Sequence, residues 1–167
     1  MNVLRLVDRV FPPQTVFAHC DVPCGIYDPH LAQVAAHTVL RMANMIDEFQ
    51  TSSAEPPFEE RKRIISQISR LTKVKEEHAE LVKHEIRVIW GDYFKDEHLK
   101  QHKAIHQLVF KIMKQASVAR QNVDIKAANE LLGMVQMFAE IFWETKGRKV
   151  QKVKSGYPTE GEIVLPK

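Results

Sequence analysis

Cys20 and Cys24 are the only thiols in 167 residues, and His19 stands directly before the first of them in the stretch AHCDVPCG. Two thiolates select soft or borderline metals. Asp21, Val22 and Pro23 leave enough chain between the sulfurs to curl both onto one ion. Pro23 lacks an N–H and fixes its own φ, while Gly25 permits a positive φ, so the local chemistry favours a hook over a helix. Zinc would want four tetrahedral side-chain ligands, and only His19, Cys20 and Cys24 lie close in sequence. A second arrangement uses the backbone. If the bond after Ala18 were cut, the His19 amine, the Cys20 amide nitrogen and the two sulfurs would form a planar set of two nitrogens and two sulfurs. Such a set suits Ni(II) or Cu(II), with the His19 imidazole as an axial ligand. The first eighteen residues would then serve to mask the amine. A thiol–disulfide pair is the third reading, although the usual redox motif has two residues between its cysteines rather than three.

Other residues capable of chemistry are more dispersed. His98, His102 and His106 are spaced to share one face of a continuous helix and could bind zinc, but no Cys or carboxylate cluster stands beside them, so they read as a solvated face. His30 and His37 read as surface residues of a first helix, and His84 as exposed or a subunit contact. Taken alone, Tyr27, Trp90 and Tyr93 read as packing aromatics.

These residues need a scaffold, and the hydrophobic period supplies it. Asp28-Pro29 is a helix start, followed by Leu31, Val34, Ala35, Thr38, Val39, Met42, Met45, Ile46 and Phe49 at steps of three and four. A second helix is predicted from near Phe58 to Trp90-Gly91, with Ile64, Ile65, Ile68, Leu71, Val74, Leu81, Val82, Ile86 and Ile89 as its stripe. A third runs from about Glu97 with Ile105, Leu108, Val109, Ile112, Met113 and Ala116. A fourth starts at Asp124 and closes at Gly147. Residues 147–167 lose the helical period and read as a tail. The prediction is an all-α protein: an antiparallel four-helix bundle over residues 30–146, a hook over 19–29 and a leader over 1–18.

Composition narrows the partners. Charged residues make up 27% of the chain and the net charge is +3, with basic and acidic residues interleaved, so no nucleic-acid stripe is present. No run approaches the ~18 apolar residues of a membrane helix. Arg5, Asp8, Arg9 and Pro12-Pro13 interrupt the leader before a secretory apolar core could form, and the protein is expected in the cytoplasm.

The stretch HCDVPCGIYDP resembles the nickel hook of the nickel-containing superoxide dismutases. EEHAELVKHEIRVIWGDYFK (residues 76–95) is similar to that family's second helix and turn, and IFWETK (residues 141–146) to its last helix. The resemblance implies a four-helix bundle assembled as a homohexamer, matured by a protease that exposes His19. It implies one nickel per subunit cycling between Ni(III) and Ni(II), with superoxide as substrate. The implied ligands are His19 (amine and imidazole), Cys20 (amide and sulfur) and Cys24 (sulfur). Tyr27 and Tyr93 match the tyrosines of the access pocket, and Asp21 and Lys95 match polar residues beside it. Water, the cysteine sulfurs and Tyr27 are the candidate proton donors. Two positions depart from the pattern: a glutamate and an arginine that support the axial imidazole are matched here by Ala35 and His78, leaving His78 as the candidate replacement. The alternative is a metal-handling or thiol-redox interaction protein that uses the Cys20/Cys24 pair without turnover.

Overall fold

The structure is a computed structural model that describes residues 25–167. Helix α1 spans His30–Asp47, and the Asp28 carboxylate accepts the His30 N–H at 2.8 Å, so the predicted start is also where the free helical N–H groups begin to be satisfied. Ala32, Ala35, Ala36, Val39, Leu40 and Ala43 form its buried face. Four of these six are alanines, small enough to let the neighbouring backbone approach closely.

Helix α2, Phe58–Val88, follows Pro57, with Glu59 and Glu60 in its first turn, where negative charge complements the helix dipole. It continues into a π-helical turn, Ile89–Tyr93. A short helix α3 spans Asp96–Gln101, α4 spans Ile105–Gln121 and α5 spans Ile125–Thr145. Asp124 caps α5 by accepting the Ala127 N–H at 2.9 Å, and Gly147, at φ +66°, provides the left-handed residue that ends it. The core is continuous from α1 through Val82, Ile86 and Ile89 of the second helical stretch to Ile105, Ile112, Leu131, Val135, Phe138 and Phe142.

One buried cation ties the helices together. The Lys75 ammonium on α2 donates to the carbonyls of Ala119, Arg120 and Asn122 at 2.7, 2.7 and 2.9 Å. These groups stand at the C-terminal end of α4, where carbonyls lack helical partners and the dipole is negative. Burial pushes the Lys75 pKa down, opposed by the Glu76 carboxylate.

The residues expected to be a tail are folded. Strands β1, Val150–Lys154, and β2, Glu162–Pro166, pair antiparallel with Lys152 opposite Val164. Gly156, Pro158 and Gly161 make the connection, and Ile163 and Val164 are buried. The all-α prediction is therefore corrected to a mostly helical fold with a small two-stranded sheet. The hairpin eluded the helical-period reading because its apolar residues fall in two five-residue runs, too short to show a period of 3.6. The third helix is also corrected: the chain leaves helical geometry at His102–Ala104 and divides it in two.

Candidate functional site

The described chain begins at Gly25, whose φ of +78° lies in the left-handed region, as the hook reading expects of that glycine. His19, Cys20, Asp21 and Cys24 lie outside the described residues. Among the described residues no group of three His, Cys, Asp or Glu side chains could hold a metal.

Tyr27 and Tyr93 come together although they are far apart in sequence. Their ring centroids are 5.8 Å apart with the planes inclined at 51°. Tyr27 is carried by the short irregular segment before α1, and Tyr93 by the end of the π-helical turn. That turn adds a residue to the helical spacing and re-aims the side chains that follow it. Tyr93 is fixed from several directions. Its hydroxyl shares a hydrogen bond with Thr145 Oγ1 at 2.9 Å, and its ring packs on Phe142 at 4.8 Å and stacks on His98 at 5.2 Å and 13°. Thr145 is held in turn, its hydroxyl donating to the Phe142 carbonyl at 2.7 Å.

Two lysines stand near this aromatic group, one by sequence and one by contact. Lys95 is exposed two residues beyond Tyr93. The Lys146 ammonium lies over the Tyr93, Phe142 and Trp143 rings, 5.4, 4.9 and 5.9 Å from their centroids. Cations at such distances are attracted to the ring faces. Lys146 was not singled out by its sequence, since only the fold brings the end of α5 against the π-helical turn.

The histidine reading changes with the break between α3 and α4. His98 stacks on Tyr93, His106 Nδ1 accepts from Trp90 Nε1 at 3.0 Å, and His102 Nε2 stands 3.9 Å from a Glu144 carboxylate oxygen. The three rings have separate partners, so the shared helical face does not form. His84 is exposed, as one of its two readings has it. His37, expected at the surface, is 2% exposed. Burial pushes its pKa down, countered in part by its bond to the Glu162 carbonyl.

Ala35 is fully buried and offers no polar group. His78 is half-buried, and its Nδ1 lies 2.8 Å from the Val74 carbonyl one turn earlier on α2. Because a carbonyl only accepts, Nδ1 carries the proton, and Nε2 is an acceptor in the neutral ring.

Comparisons with known proteins converge on one family. Residues 14–146 match the family model described as nickel-containing superoxide dismutase. The nickel superoxide dismutase of Streptomyces coelicolor is 37% identical over 142 residues, covering 84% of this chain and 98% of the relative. That of Streptomyces seoulensis is 35% identical over the same length and with the same coverage. The native structure of nickel superoxide dismutase at 1.30 Å is 34% identical, with a TM-score of 0.63, covering 77% of this chain and 99% of that one.

Proposed function

Because this chain belongs to the nickel-containing superoxide dismutase family and is a nickel-dependent superoxide dismutase, we propose that His19, Cys20 and Cys24 hold its metal once His19 is the N-terminus. The observation that carries the assignment of the site is that these residues fall inside the matched span 14–146, just ahead of the Tyr27–Tyr93 pair. Bound there, nickel supplies a Ni(III)/Ni(II) couple, so that one superoxide is oxidised to O2 and a second, with two protons, is reduced to hydrogen peroxide.

The protein's own residues select and admit the substrate. Tyr27 and Tyr93 stand as a rigid aromatic mouth that admits a diatomic anion and obstructs larger species. The bond from Tyr93 to Thr145 and its packing on Phe142 hold that aperture constant from one turnover to the next. Lys95 gives the approach a positive potential, a modest aid to the encounter with an anion that weakens as salt is raised. Asp21 adds a polar group beside the cysteines in the same reading. Cys20 and Cys24 act as thiolates, which agrees with a reducing cytoplasm.

The long helices α1, α2, α4 and α5 are read as an antiparallel four-helix bundle. The short turn from α4 to α5, between Gln121 and Ile125, supports that reading. The mature protein is proposed to be a homohexamer released from its leader by a protease. Superoxide decay with nickel-loaded protein tests the site, comparing the full chain with one beginning at His19. Fast decay by the trimmed chain alone is expected. Equal decay by both would remove the requirement for a free His19 amine.

A further inference from the structure

The C-terminal hairpin lies beyond residue 146, where the family match ends, yet it is bound to α1, the first helix after the cysteine segment, and to α5. Its docking is specific and polar. Gln33, at the end of the first turn of α1, has no exposed surface. Its Nε2 donates to the Val164 carbonyl at 3.0 Å, and its Oε1 accepts the Val164 N–H at 2.8 Å. One side chain thus satisfies both backbone groups of a strand residue, as a neighbouring strand would.

Along the same edge of β2, the Glu162 carbonyl accepts from His37 Nε2 at 3.0 Å and from Gln136 Nε2 at 2.6 Å. With Nε2 donating, His37 Nδ1 accepts from the Thr159 hydroxyl at 2.7 Å. The hairpin is also tied to α5 through Lys152 and Glu140 at 2.8 Å. A Cβ placed on Gly161 would come 2.7 Å from His37 Cε1, so this approach admits no larger residue without displacing the ring.

The points of attachment on α1 matter. The Gln33 N–H donates to the Pro29 carbonyl at 3.2 Å, closing the first helical turn, and Tyr27 stands immediately before that turn. A buried side chain that bonds the hairpin therefore belongs to the same turn that follows Tyr27. A merely apolar cover would need neither the paired bonds of Gln33 nor the two bonded nitrogens of His37. Unbonded, those groups would be costly to bury.

We infer that the hairpin is a strap that positions the first turns of α1, with Gln33 and His37 as its anchor residues, and so fixes the base from which Tyr27 and the nickel-binding segment extend. The inference rests on the proposed metal site at His19, Cys20 and Cys24, but its mechanical part is separable from it. The strap adds to this chain a support that Ala35 and His78 do not supply in the pattern the resemblance implies.

Gln33→Leu and Gly161→Ala in the otherwise full-length protein test the strap from its two sides. In the nickel-free protein, amide hydrogen exchange over residues 26–37 is expected to quicken by about tenfold or more in both variants, while amides of α4 keep their protection. In each variant processed to begin at His19 and loaded with nickel, the electron paramagnetic resonance spectrum of Ni(III) is expected to change its axial nitrogen splitting, and nickel affinity to fall by about tenfold. Unchanged exchange over residues 26–37 would overturn the strap. Faster exchange with an unaltered nickel spectrum and affinity would overturn its positioning role. If the unsubstituted protein beginning at His19 binds no nickel, the metal site itself is lost, and the exchange experiment alone then supports or overturns the grip on α1.

Discussion

The two halves of α2 share one sequence period and meet different fates. From Phe58 to Val74 the helix buries no residue: Ile64, Ile68, Leu71 and Val74 are half-covered, Phe58 is 68% exposed and Ile65 is 67% exposed. From Lys75 onward, Lys75, Ala79, Val82 and Ile86 are buried, and Ile89 continues the series in the π-helical turn. Length explains part of the contrast. At ~1.5 Å per residue, the 31 residues of α2 extend well beyond the 18 of its partner α1. Near the end of α1, Met45, Phe49, Leu71 and Val74 line an open depression rather than a closed core. The packed half leads directly into the turn that carries Tyr93, whereas the front half carries none of the described site residues. An apolar stripe is thus a capacity for burial, and the amount of burial depends on what stands opposite.

The contrast can be broken first by truncation. Ile86→Ala should destabilise the protein by about 2–5 kcal/mol, because it removes a fully buried side chain and leaves a cavity. Ile65→Ala should change stability by no more than about 0.5 kcal/mol. Chemical denaturation of both variants provides the measurement, and equal losses would mean that the front half of α2 is covered in solution. Lys75→Met should cost about 1–3 kcal/mol in the same experiment, since it strips three carbonyls at the end of α4 of their shared donor. A variant as stable as the parent would show that burying the ammonium offsets the bonds it makes.

The smallest effect should come from pH, and it sharpens the difference between the strapped and overhanging ends. Burial lowers the folded-state pKa of His37 below its ordinary value near 6.5. The unfolded chain therefore takes up this proton more readily. The His37 contribution is complete above about pH 6.5 and diminishes as pH falls through that value toward the lower folded-state pKa. The Lys152–Glu140 pair tethers the same hairpin to α5 at 2.8 Å. Thermal unfolding between pH 7.5 and 5.5 should show a fall in Tm that is reduced in His37→Gln. An identical pH slope in both proteins would assign the effect to other groups.

Much of the architecture was legible because it rests on local rules. Asp124 and Gly147 marked the ends of α5 through capping and left-handed geometry, and Pro57 preceded the start of α2. The site was legible in part. Gly25 has the positive φ that its place in the hook suggested, and Tyr27 meets Tyr93, as the resemblance implied. The histidine face was misread because four-residue spacing means a shared face only while the helix continues, and His102–Ala104 interrupts it.

What the sequence by itself determined is the family, through its match over residues 14–146, the positions of the long helices, and the presence of the His19, Cys20 and Cys24 side chains proposed as donors. Each depends on residue type and near-neighbour spacing, which the linear chain carries in full. Only the tertiary structure decided that Gln33 and His37 would be buried beneath a hairpin more than 120 residues away, that Lys75 would cap another helix, and that Lys146 would lie over Tyr93. The physical reason is that burial and polar satisfaction are properties of two surfaces brought together, and the partner surface is not encoded next to the residue that needs it.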